Sequence, residues 1–390
     1  MKYEFETMTI GDCCDIIKKS IYPEKGQVYT CFSLPAFDNS NTPEILNGEE
    51  IKSSKFVLDE NTILFNKLNP KFRRVWNIHS LEKYENTICS TEFLPLKAKA
   101  NIEQDYLYYY ISSPYFTRLM DGIRTGTSNS QQRIDWKQFL REQINVPSLP
   151  IQRKVVLLLS NIDKKIKLNN KINNNLEQQA QAIFANEFLS LDTLPEGWKQ
   201  ASLIDIADYL NGLAMQKYRP TADESGIPVL KIKELRQGCC DDNSELCSPS
   251  IKSDYIIHDG DVIFSWSGSL LVDLWCGGIC GLNQHLFKVT SSKYDKWFYY
   301  AWTKHHLDRF VAVAADKATT MGHIKRDELA KAEVLIPNEA DYNRIGALLQ
   351  PIYEMIISNR IENKKLATTR DTLLPKLING EIDMSEVDYE

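Results

Sequence analysis

The 390-residue sequence matches itself at a shift of 190 positions, and that constrains its fold more than any single motif does. The shift places Asp105-Tyr106-Leu107-Tyr108-Tyr109-Tyr110 on Asp295-Lys296-Trp297-Phe298-Tyr299-Tyr300, Ile134 on Ile324, Val146-Pro147 on Ile336-Pro337 and Lys154 on Arg344. Upstream the shift drifts, as loop insertions would make it do. Asp59–Phe65 resembles His258–Phe264, and Ser90-Thr91-Glu92-Phe93 sits near Leu282-Asn283-Gln284-His285. Such a chain folds as two similar units.

Each half opens with short β-like runs, at Lys55–Leu58 and Thr62–Phe65 in the first and Val229–Ile232, Asp261–Phe264 and Leu286–Val289 in the second. Turns such as Asn69-Pro70 and Ser267-Gly268 separate them. Asp105–Met120 and Asp295–Val313 read as aromatic-rich helices. Each opening is therefore an α+β globule of roughly 140–150 residues, an ordinary domain size.

Each half closes on a heptad seam. Steps of four and three from Val155 give Leu159, Ile162, Ile166, Asn169, Asn173, Leu176, Ala180 and Ile183. The same steps from Ile345 give Leu349, Ile352, Ile356, Asn359, Asn363, Leu366, Arg370 and Leu373. Both seams run for about four heptads and carry two asparagines at the same rungs. In an antiparallel pair Asn169 and Asn173 meet Asn363 and Asn359. Their amides satisfy each other in one register only, because a slipped pairing strands them in an apolar seam. The alternative is that each helix packs on its own globule alone. The expected fold class is α+β: two similar globules separated by two long helices pairing as an antiparallel coiled coil, related by a pseudo-twofold internal repeat. The expected boundaries are 1–150 for the first globule, 151–190 for the first spacer helix, 191–338 for the second globule, 339–380 for the second spacer helix and 381–390 for an acidic tail. Helices of this length span roughly 45 Å, a useful ruler for a target with two subsites, such as DNA half-sites ~34 Å apart.

The formal net charge of −6 argues against a protein that merely coats nucleic acid and predicts weak DNA binding by the chain alone. Residues 151–190, with six basic and three acidic side chains, form the basic segment. Nine cysteines without repeated spacing read as reduced thiols in a cytoplasm. A zinc site at Cys276, Cys280 and His285 lacks a CxxC pair, and buried thiols are the better reading. No signal peptide and no run of ~20 apolar residues is expected, so neither is a membrane.

The first globule offers Lys67, Lys71, Arg73 and Arg74 for phosphates, with Phe72 and Trp76 interleaved and no acid between Glu60 and Glu82. A solvated charged face is the plainer alternative. Arg124, Ser128, Asn129, Gln131, Gln132 and Arg133 frame a Gly-containing loop whose amides suit adenine and whose arginines suit guanine; an ordinary polar loop has the same composition. Its counterpart in the second globule contributes Lys317, Thr319, Thr320, His323 and Lys325. Further candidates there are Lys217, Tyr218, Arg219, Ser265, Trp266, Asn283 and His285, with Trp266 and His285 equally readable as core. Lys304, His305, His306 and Arg309 are additional phosphate candidates.

Catalytic signatures are missing: there is no GxxxxGK[ST], HExxH or GxSxG. Asn69-Pro70-Lys71-Phe72 is superficially like the tetrapeptide of adenine methyltransferases, but Lys71 replaces a proline and no glycine-rich cofactor loop accompanies it. A turn is the better reading.

Leu194-Pro195-Glu196-Gly197-Trp198, Val146-Pro147, Ile336-Pro337, Asn174–Phe184, Thr319–Ile324 and Leu366–Ile382 are spread essentially end to end. By these segments the chain resembles the specificity subunit of type I restriction–modification systems. One departure is that the first globule has no Leu-Pro-x-Gly-Trp segment. The resemblance implies two target-recognition domains alternating with spacer helices, each domain reading one half of a bipartite, asymmetric site in double-stranded DNA. It implies a non-catalytic chain that binds no cofactor itself. Two methyltransferase subunits would bring S-adenosylmethionine, and restriction subunits would add ATP- and Mg-dependent cleavage. Docking would use outer helix faces around Lys164, Lys165, Lys167 and Lys171. A degenerate methyltransferase using Asn69–Phe72, or a protein scaffold, are the competing readings.

Overall fold

The computed structural model describes residues 4–125, 132–241, 243–316 and 326–384. The chain divides into two compact units, Met1–Lys164 with Leu366–Glu390 and Lys165–Lys365.

In the first unit Phe5–Thr9 pairs antiparallel with Gln143–Pro147, the strand that precedes the first long helix. The central sheet has the order Cys14–Ile16, Phe93–Ala98, Thr62–Asn66, Val75–Ile78. A five-stranded sheet runs Ser20–Ile21, Lys55–Val57, Thr87–Ser90, Val28–Phe32, Glu44–Asn47. The second unit repeats the plan. Lys199–Ser202 pairs with Glu333–Ile336, and its central sheet is ordered Asp208–Asn211, Leu286–Thr290, Val262–Ser265, Leu271–Leu274. One part of this repeat is carried by a shared short pattern, Thr9-Ile10-Gly11-Asp12 and Ser202-Leu203-Ile204-Asp205. Thr9 and Ser202 each cap a four-residue helix, with Asp12 and Asp205 closing a capping box. The Thr9 and Ser202 hydroxyls hold these carboxyls below the usual range.

The aromatic stretches are each two helices, not one. Gln104–Ile111 stops before Pro114, which starts Pro114–Gly122 with Ser113 accepting from the Phe116 amide. Proline has no amide hydrogen and clashes with the preceding turn, so it disfavours a continuous helix, and here Ser113 caps a fresh start with Pro114 at the first helical position. In the second unit Lys296–His305 and Leu307–Asp316 are separated at His306. These helices cover the central sheets through matching aromatic contacts: Phe65 meets Phe116 at 5.9 Å and Phe264 meets Phe310 at 5.7 Å. Burying each such ring stabilises by about 1.5–3 kcal/mol.

The long helices span Leu149–Phe184 and Glu339–Ile378. Every described seam position is buried or half-buried. The core of the first unit takes Val155 and Leu159 from the first long helix together with Leu374, Leu377 and Ile378 from the second. The core of the second unit takes Ala180 and Phe184 together with Ile345, Leu349 and Ile356. Each unit therefore packs on both helices, which excludes the one-helix, one-globule alternative.

His306 is buried, stacks on Trp302 at 6.0 Å and donates through Nε2 to the Glu333 carbonyl at 2.8 Å. Burial pushes its pKa below the ordinary 6.5, against the carbonyl bond, with His305 and Arg309 adding to the fall; burial lowers His305 too. A histidine kept neutral in the fold leaves stability intact above its unfolded pKa. That stability is lost as pH falls below it, because the unfolded chain takes up the proton first. Urea unfolding of the full chain should therefore show stability falling from about pH 6.5 downward, and His306→Gln should flatten that slope. An identical slope in the variant would refute this assignment.

Candidate nucleic-acid interface

In both units some of the described candidate residues gather where the central strand ends: Lys67 and Arg133 in the first, Trp266, Asn283 and His285 in the second. Strand register aligns the repeats one position away from the letter match. Asn66 stands opposite Phe93, and Ser265 opposite Leu286. Glu92 therefore corresponds to His285 and Lys67 to Trp266. Asn66 and Ser265 do the same structural work. Both are buried, Asn66 bonding the Leu68 carbonyl and amide and Ser265 donating to the Ser269 carbonyl at 2.8 Å. Ser265 thus holds the turn instead of facing a ligand, a correction to its candidacy.

In the first unit residues 67–69 lie against 132–134. The Ile134 amide donates to the Lys67 carbonyl at 3.0 Å, the Asn69 amide to the Gln132 carbonyl at 2.8 Å, and Leu68 bridges Arg133. Residues 69–72 form the expected turn, with Asn69 at φ 52° and the Phe72 amide donating to the Asn69 carbonyl. The arginines have carboxylate partners from distant segments. Arg74 is bidentate to Asp38 at 2.7 Å for both bonds, Arg133 reaches Glu92 at 2.8 Å and Arg73 lies 3.5 Å from Asp371. Glu92 holds the Arg133 guanidinium more firmly protonated. Lys71 stands 5.1 Å and the Arg74 guanidinium 4.8 Å from the centre of the half-exposed Phe72 ring. Trp76 is core, edge-on to Phe32 and Phe37, and leaves the candidate set.

In the second unit three segments converge. Trp266 stacks on Phe287 at 5.5 Å and donates to Asn211 Oδ1 at 3.0 Å. The Ser267 hydroxyl lies 3.1 Å from His285 Nδ1. Asn283 is buried and accepts from the His285 amide at 3.2 Å. Lys217 and Tyr218 are exposed, while Arg219 pairs with Glu245. His306 belongs to the core, Lys304 lies 3.6 Å from Glu177, and Arg309 donates to the Lys331 carbonyl at 2.8 Å. Ser128, Asn129, Gln131, Lys317, Thr319, Thr320, His323 and Lys325 lie outside the described residues, as does the Arg124 side chain.

The seam amides meet. Asn169 Nδ2 donates to Asn363 Oδ1 at 2.9 Å and Asn359 Nδ2 to Asn173 Oδ1 at 2.8 Å. Asn169 also donates to Glu362 at 2.7 Å, and Asn363 to Asn170 at 2.8 Å. Lys164, Lys165, Lys167 and Lys171 are exposed on the first helix, with Lys165 3.3 Å from Glu362. Among the described residues no group of His, Cys, Asp and Glu is placed to hold a metal, and no helix is long and apolar enough to cross a membrane.

Sequence reasoning missed Lys18, Trp136 and Lys137. Lys18 Nζ stands 4.1 Å from the centre of the Trp136 ring and Lys137 Nζ 5.8 Å. The signal was available: Trp136-Lys137 follows Arg133 and is the same basic–aromatic adjacency that singled out Lys71–Arg74.

The profile described as "Type I restriction modification DNA specificity domain" matches residues 2–178 and again residues 195–367. The chain belongs to this family. The two matches fall on the two repeats, so each repeat is one type I DNA specificity domain. The MjaIX type I restriction enzyme specificity subunit of Methanocaldococcus jannaschii is 26% identical over 74% of this chain and 71% of its own length. The HindI specificity subunit of Haemophilus influenzae is 20% identical over 87% and 90%. The crystal structure of a type I restriction–modification S subunit from M. genitalium covers 96% of both chains at a TM-score of 0.54 and 14% identity, a likeness of fold.

Proposed function

We propose that this chain is the non-catalytic DNA-recognition subunit of a type I restriction–modification complex. The carrying observation is that two DNA specificity domains occupy the two halves of one chain. In this reading the first recognition domain lies in 1–150 and the second in 191–338, each reading one half of a bipartite, asymmetric site in double-stranded DNA. The helices of 151–190 and 339–380 set the spacing and dock two methyltransferase subunits through the exposed lysines 164, 165, 167 and 171. Those subunits bring S-adenosylmethionine, and restriction subunits bring ATP- and Mg-dependent cleavage. The nine free cysteines suit a reducing, cytoplasmic setting. Register of the helix pair rests on Asn169, Asn173, Asn359 and Asn363, whose mutual bonds support that role.

The test is methylome sequencing of a host expressing the chain with its methyltransferase partner. A split adenine-methylated motif should appear. Replacing 1–150 should change one half of it, and replacing 191–338 the other. A motif indifferent to both replacements overturns the reading.

A further inference from the structure

The first recognition unit carries cations of two kinds. Its arginines 73, 74 and 133 are neutralised by Asp371, Asp38 and Glu92. Lysines 18, 67 and 137 have no carboxylate within 4.0 Å among the described residues. Yet they are held together. Trp136 lies under the ammonium groups of Lys18 and Lys137 and keeps 39% of its surface exposed. Lys67 is pinned beside this group by its backbone, its amide donating to the Glu92 carbonyl at 3.1 Å and its own carbonyl accepting from Ile134. Burial, and then repulsion from Lys67, lower the Lys18 pKa, so the two ammonium groups feel each other without a counterion.

Like charges gathered by the fold and left without an internal partner raise the local positive potential, which attracts a polyanion such as a nucleic-acid backbone. The exposed indole adds a flat apolar surface beside them, against which a deoxyribose ring can pack. We propose that Lys18, Lys67 and Lys137 around Trp136 form a phosphodiester clamp that anchors the first unit on the DNA backbone without reading bases. This rests on the DNA-recognition reading above and divides the labour within it. The lysines supply sequence-independent affinity, while discrimination belongs to other side chains.

The experiment uses the full chain assembled with its methyltransferase subunits, on duplexes carrying the methylome-defined motif or a scrambled one. Dissociation constants are measured between about 0.1 and 0.4 M salt. Lys18→Ala with Lys67→Ala should reduce the slope of log K against log salt by about 1.8, at ~0.9 per phosphate contact. At about 0.15 M salt that corresponds to roughly 30-fold weaker binding on both duplexes, with the methylated motif unchanged. Lys18→Arg with Lys67→Arg should restore the slope. An unchanged slope, or a loss confined to the cognate duplex, overturns the clamp. So does an equal fall in a charge-matched variant, Lys25→Ala with Lys52→Ala, since the effect would then be one of net charge. A wild-type complex that does not prefer its motif duplex would instead sink the DNA-recognition reading, which separates the two failures.

Discussion

Gly212→Ala is expected to disable the second recognition unit while the first keeps its half-site. A Cβ at position 212 would stand 2.2 Å from the Asn283 carbonyl oxygen, 2.5 Å from its carbon and 2.5 Å from the Leu282 oxygen. All three are backbone atoms, so no rotamer change relieves the clash. The requirement is for space, since Gly212 does not lie in the left-handed region. The neighbouring backbone is tied on every side. Gly212 donates to the Leu286 carbonyl at 3.0 Å, Leu213 to Leu282 at 2.9 Å and Gln284 to Leu213 at 2.9 Å. Admitting a methyl group means breaking part of this weave, at a cost of about 3 kcal/mol. The displaced residues, Asn283–His285, carry the Ser267–His285 contact of the candidate interface. Chemical unfolding should report the loss of stability, and competition binding with half-site variants should show discrimination lost on one side of the motif. Gly122→Ala is the matched control, because nothing lies within 4 Å of the added Cβ and the residue closes a helix. A Gly212→Ala chain as stable and as selective as the parent would refute the argument.

The parts of this molecule legible in the sequence are those with a local period. The two seams follow from three-and-four spacing, and the asparagine rungs found each other because an antiparallel register fixes which rungs are level. The central strands Thr62–Asn66 and Val262–Ser265 were visible as short apolar runs. What escaped depends on contacts across the chain. The stretch from Lys67 to Arg74 has no acid of its own, yet Arg74 is neutralised by Asp38 and Arg73 by Asp371, which local charge counting cannot see. The pairing of Glu92 with His285 as equivalent positions needed strand register, since letter matching slid by one residue. The aromatic helices hid their breaks for a different reason: Pro114 was itself the signal, but the aromatic periodicity on either side masked it. The clamp lysines come from positions 18, 67 and 137, too far apart for any window to join.

Arg360→Ala should produce the other large loss, and it tests how the second unit is held on its helix pair. Arg360 projects from the second long helix and donates to Asp273 at 2.8 Å, to the Leu274 carbonyl at 3.1 Å and to Glu177 of the first long helix at 2.9 Å. One guanidinium thus joins both helices to the strand Leu271–Leu274. Only about a quarter of each side chain is exposed, at 26%, 25% and 28% for Arg360, Asp273 and Glu177. Removing the cation leaves Glu177 its contact with Lys304 at 3.6 Å but leaves Asp273 no other ion-pair partner among the described residues. Breaking a fully buried pair costs about 3–5 kcal/mol. Partial exposure here lowers the expectation to about 2–3 kcal/mol of unfolding free energy. Asp273→Asn should remove much of that penalty, because the stranded carboxylate is its main source. A double-mutant cycle on the full chain, followed by urea unfolding, should give a coupling of about 1–2 kcal/mol between the two positions. Additivity within about 0.5 kcal/mol would mean that Arg360 acts through packing of its aliphatic stem, and that the strand is held on the helices by apolar contacts alone.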